Sequence, residues 1–113
     1  MAYNGWKNYE TWVVALWASN DQGSANFTAE MAQDAYDNAV ADRNFTREER
    51  AVLNLSDTLK DWMEDSNPLA SEASVWSDLL SAALSEVDWR EWAENLLEDV
   101  EKESEEAEDI EEV

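Results

Sequence analysis

The stretch NGWKNYETWVVALWASND, residues 4–21, decides how the rest of the chain is read. Trp12 to Ala18 is an unbroken apolar run of seven residues, far short of the roughly 20 that a membrane-spanning helix needs. Asn8 stands where a helix N-cap would stand, and Asn20–Gly23 offers a stop, so a helix over about Tyr9–Asn20 is expected. Apolar side chains (Trp12, Val13, Val14, Leu16, Trp17) fall on nearly every side of it, the pattern of a helix buried all round. A chain of net charge -21 repels itself and needs dense apolar burial to stay compact. The segment is therefore expected to be the hub of a bundle. A homodimer or partner interface is the second expectation for it, because Trp is enriched at such surfaces.

Working outward, only two glycines and one proline punctuate 113 residues, and apolar positions recur at three and four, so the chain reads as all-α. A second helix is expected over about Thr28–Arg43, with Met31, Ala35 and Ala39 on one stripe. Thr46-Arg-Glu-Glu49 reads as a capping box opening a third, whose Val52, Leu55, Leu59 and Trp62 form a core stripe ending before Asn67-Pro68. A fourth spans about Ser71–Val87, with Trp76, Leu79, Ala83 and Val87 expected inward. The fifth starts at Asp88 and carries Trp89, Ala93, Leu96 and Val100. The expected architecture is a compact bundle of about five helices with a long acidic C-terminal helix. Residues 1–100 form the bundle, and residues 101–113 are an acidic tail that continues the last helix or is disordered.

The chain has no cysteine and no histidine, which removes disulfides, thiol nucleophiles, Cys or His zinc sites and every triad with an imidazole base. Carboxylate acid–base pairs require one group buried beside another left ionised, whereas the acids here fall on solvent faces. Asp, Asn and Glu in residues 20–30 are not at EF-hand spacing, and no Gly-rich phosphate loop is present. The expectation is no enzyme, no cofactor and no specific metal site, in a soluble protein of the cytoplasm. Twenty-eight acids against seven bases repel phosphates, so direct nucleic-acid binding is not expected and the favoured partner is basic.

The acids are patterned. Residues 1–50 carry a net charge of -4 and residues 51–113 a net charge of -17. Glu94, Glu98, Glu101, Glu105, Glu108 and Glu112 step by four and three, which on a helix is one continuous stripe. Glu30, Asp34 and Asp37 repeat the pattern on the second helix, and Asp57, Asp61 and Glu64 on the third. Like charges at i,i+4 each cost roughly 0.2–0.5 kcal/mol, so the stripes are not explained by helix stability. From Glu98 to Glu112 ten carboxylates occur in fifteen residues, about one per 2 Å at helical rise. Duplex DNA carries one charge per about 1.7 Å. Three explanations fit: DNA mimicry, with these twelve residues standing in for phosphates; surface acidity for high salt; and an acidic tail that solvates the protein or docks on a basic partner.

The residues NYETWVVALW, 8–17, followed by Ser19-Asn20-Asp21 and Gly23, resemble a family of small proteins encoded by phages and plasmids. That family opens Asn-Tyr-Glu-Thr-Trp-Asn-Val-Ala-Leu-Trp and then turns at Asn-Asp; this chain departs from it at Val13. The resemblance implies origin on a mobile element. In size, helicity and acidic C-terminus, with Trp92-Ala-Glu-Asn-Leu-Leu-Glu98 before the tail, the remainder is similar to phage antirestriction DNA mimics. Together these imply a DNA-mimic inhibitor of a host defence protein, either a restriction-modification enzyme or a CRISPR effector. The rival expectation is an adaptor or assembly protein that binds through its Trp-rich N-terminal segment, with acidity serving solubility.

Overall fold

The computed structural model describes residues 3–102, and over these the chain is all-helical apart from one isolated bridge between Tyr3 and Trp6. The five helices are α1 (Tyr9–Asn20), α2 (Gln22–Asn38), α3 (Arg47–Asp65), α4 (Val75–Ser85) and α5 (Trp89–Leu97). Asn4 and Gly5 both have positive φ, 50° and 89°, the geometry of the tight turn that Asn-Gly favours. It folds Tyr3 back onto Tyr9 and Trp12, with ring centroids 5.1 and 4.9 Å away.

Local capping sets most boundaries. Asn8 caps α1 by accepting the Thr11 N–H at 2.9 Å. Asn20–Gly23 is not a loop: Asp21 ends α1 and at once caps α2, accepting the Ser24 N–H at 2.9 Å. α2 therefore begins six residues before the expected Thr28. It also ends earlier than the expected Arg43, because the Asp42 carboxylate gathers the N–H groups of Asn44 and Phe45, both at 2.9 Å, into a turn. Arg47 reaches back to close the end of α2, its Nε donating to the Tyr36 carbonyl at 3.0 Å and its guanidinium lying 4.2 Å from the Tyr36 ring centre. A cation there complements the negative end of the helix dipole. The capping box at Thr46 and Glu49 forms as the sequence indicates, with reciprocal bonds of 2.8 and 3.1 Å.

The core lies elsewhere than expected. α2, α3 and α5 each pack against the other two. Phe27 meets Trp62, and Arg47 meets Tyr36, so α2 and α3 run antiparallel. Leu55, Leu59, Ala51, Ala32 and Ala93 are buried between them around Trp92, which is 1% exposed. Trp62 and Trp89 flank Trp92 at 6.5 and 6.2 Å. The hub is thus the Leu stripe of α3 against the indole of α5, not α1. On α1 only Thr11, Ala15 and Ala18 are buried, and Trp17 is 71% exposed. Apolar residues all round a helix overstate its burial when the neighbours cover a single face, and here α1 packs mainly on α2 and α5.

α4 departs further from expectation. It packs broadly against none of the other helices, and Trp76 and Leu79 point to solvent rather than inward, Trp76 being 69% exposed. Val87 is buried, and the Ser77 hydroxyl donates to the Leu69 carbonyl at 3.2 Å, anchoring its two ends. α5 stops at Leu97 and residues 98–102 are not helical. The expected long acidic helix is therefore nine residues long over the described part. Residues 103–113 lie outside it, and with them Glu105, Glu108 and Glu112.

Candidate functional site

Each acidic row lies where its helix leaves the core. Glu30, Asp34 and Asp37 are exposed on α2, Asp57, Asp61 and Glu64 on α3, and Glu94 on α5. Glu98 and Glu101 are exposed in the non-helical segment that follows α5. Because α2, α3 and α5 share one core, rows opposite that core face in three directions around the bundle. They do not form one flat acidic plane.

The segment after α5 is tied to α2. The Gln33 side chain donates to the Glu101 carbonyl at 3.0 Å and accepts the Glu101 N–H at 2.9 Å. This pair brings Glu101 beside the α2 row, and Asp37 also takes a bond from the same Gln33 amide at 3.0 Å. Lys102 then pairs with Glu48 at 3.0 Å, in a cleft that Glu94 and Glu98 also line. The α3 row differs from the others: Asp57 shares a cleft with Lys7, Lys60 and Arg90, so positive charge stands beside it. The helical-rise density expected for Glu98–Glu112 does not hold over residues 98–102, since these are not helical.

Polar anchors that sequence reasoning passed over join the N-terminal segment to α5. Thr11 is fully buried; its hydroxyl donates to Asn8 Oδ1 at 2.6 Å and accepts the Asp88 N–H at 2.8 Å. The Asn8 amide donates to the Glu86 carbonyl at 2.7 Å. The Glu91 carboxylate receives the Lys7 N–H at 2.9 and 3.1 Å, while the Lys7 ammonium lies 3.6 Å from Asp88. The only sequence signal for this knot was Thr three residues after the cap Asn.

A broad apolar groove was also missed. Between α1 and α4 runs an open groove of about 740 Å³. Val13, Val14 and Trp17 form one wall, and Leu80, Ala83 and Leu84 the other, over a floor of Trp62 and Met63. Glu10 and Asp21 are its charged lining residues, and among the described residues no base lines it. The bond from the Ser24 N–H holds the Asp21 carboxyl below its ordinary value of 3.8. Among the described residues no three Asp or Glu side chains gather as metal ligands would, and no helix is long and apolar enough to cross a membrane.

The chain belongs to a family of unknown function, DUF7249, whose model matches residues 1–82. The match takes in α1, α2, α3 and most of α4, and leaves α5 and the most acidic part of the chain beyond it. No curated protein and no solved structure matches.

Proposed function

We propose that this member of the family is a non-enzymatic inhibitor from a phage or other mobile element that mimics DNA. It occupies the DNA-binding site of a host defence protein, a restriction-modification enzyme or a CRISPR effector, in the host cytoplasm. One observation carries the reading: exposed acids leave a core shared by three helices, as rows on α2 and α3 and as Glu94 on α5. The rows of α2 and α3 each place a carboxylate about every 5 Å of helix axis, a third of the charge density of duplex DNA. Matching the duplex therefore takes both rows together with Glu94 and the acids after Leu97. A flat basic surface reaches one or two of them, whereas a channel built to enclose a duplex reaches all. The acids of residues 101–113 add further negative charge to the chain. Exposed ion pairs are each worth roughly 0–1 kcal/mol, so affinity comes from many at once.

The test is retention of a partner from host lysate on the tagged full-length chain, with and without excess duplex DNA. Retention of a DNA-binding defence enzyme that competitor DNA displaces is the expected result. An affinity that does not fall between low and moderate salt would overturn the reading, because many screened charge pairs must weaken together.

A second reading has its own observation. Trp17, Trp76 and Leu79 are exposed although α1 and α4 are the most apolar helices, as suits an adaptor that binds a protein through this side of the molecule while the acids keep it in solution.

A further inference from the structure

We infer that the groove between α1 and α4 receives a cationic amphipathic helix of a partner protein, with its apolar face between Trp17 and Leu84 and its Lys or Arg side chains toward Glu10 and Asp21. This rests on the adaptor reading and names the chemistry of the partner.

The dimensions fit a helix. The walls are helices of twelve and eleven residues, about 18 and 16 Å long, so a segment of about three turns lies along them with anchors at i, i+3, i+4 and i+7. Trp17, 71% exposed at one lip, is the kind of aromatic anchor that dominates such contacts once it is covered.

Charge selects among occupants. The two charged side chains that line the groove, Glu10 and Asp21, are both acidic. A second copy of the chain would bring another net charge of -21 toward them. The chain's own residues 103–113 are an equally poor match, with seven acids among eleven residues. A partner with an apolar stripe flanked by cations satisfies both the walls and the lining.

The experiment is calorimetric titration of the full-length protein with three synthetic peptides of roughly 14 residues, about 21 Å long as helices. One carries Leu at helical spacing with Lys elsewhere, the second is its scramble, and the third keeps the Leu pattern with Glu in place of Lys. The patterned Leu/Lys peptide is expected to bind at least about tenfold tighter than either other peptide, about 1.4 kcal/mol. Trp17→Ala and Ala83→Arg are each expected to weaken it by about tenfold, while Val40→Ala, exposed and outside the groove, leaves it unchanged. Circular dichroism melts confirm that each variant is folded; Trp17 is so exposed that its removal keeps the test decisive even if Ala83→Arg does not fold.

Equal binding of the scramble would reduce the effect to net charge and overturn the inference. So would unchanged affinity in the folded Trp17→Ala variant. Trp17-dependent binding of the Leu/Glu peptide would overturn the cationic requirement but leave the adaptor reading standing. A dimer in sedimentation that Trp17→Ala dissolves would give the groove to a second copy, and tighter Leu/Lys binding after deletion of residues 103–113 would give it to the chain's own end.

Discussion

The Thr11 hydroxyl sits between Asn8 and Asp88, donating to one at 2.6 Å and accepting from the other at 2.8 Å. One fully buried oxygen thus links the cap of α1 to the cap of α5, although 77 residues separate Thr11 from Asp88. The Asn8 and Thr11 of the NYETW stretch are therefore fold-locking residues, and their polar groups are spent inside the molecule rather than offered to a ligand.

Thr11→Val keeps the shape of the side chain and removes the hydroxyl, leaving the Asp88 N–H without its acceptor. The expected loss is about 1–3 kcal/mol, with Thr11→Ser losing less. Urea denaturation of the three proteins checks this; a Val variant as stable as the parent would remove the bridge from the account.

Trp92→Ala should cost about 3–5 kcal/mol, as for other buried aromatics, whereas Trp17→Ala should stay within about 0.5 kcal/mol, as for surface sites. Thermal melts of both variants locate the hub. The reverse ranking would restore α1 as the centre of the bundle.

Arg47→Met removes the cation that closes α2 over Tyr36 and the bond to the Tyr36 carbonyl. Together the lost dipole and ring interactions amount to about 1–2 kcal/mol. Amide exchange in the last turn of α2 should accelerate most. Arg47→Lys should recover little of it, because an ammonium lacks the planar fork that bonds and stacks at once.

The Asp42 carboxyl is held below its ordinary value of 3.8, first by the N–H groups of Asn44 and Phe45 and then by Arg50. A carboxyl lowered in the folded state contributes stability that is fully present above 3.8 and is lost as the pH falls through its folded value. Asp42→Ala should therefore be less stable than the parent at neutral pH, and the gap between their melting temperatures should narrow as the pH drops below 3.8. A gap that stays constant down to strong acid would show that the carboxylate charge is not what holds this turn.

Much of the local structure was legible in the sequence because caps act over three or four residues. Asn8 and the box at Thr46 and Glu49 were readable and form. The stripe Leu55 and Leu59 was readable for a similar reason, since its spacing leaves one face to bury. The end of α2 was not, because the turn at Asp42 and the reach of Arg47 depend on a neighbour folding back. The acidic rows of α2 and α3 were legible as exposed faces; the end of the third at Leu97 was not, since its periodicity runs on past the point where the helix stops.

By itself the sequence determined that this chain is helical, where its clearest caps fall, and that acids occupy the faces turned from the core, because these follow from periodicity and short-range bonding. Only the tertiary structure decided which apolar helix is covered. α1 and α4 are the two most apolar helices, yet Trp92 of the more polar α5 is the residue enclosed. Burial depends on the number of neighbours around a helix, and that number is set by long-range packing rather than by the helix's own composition.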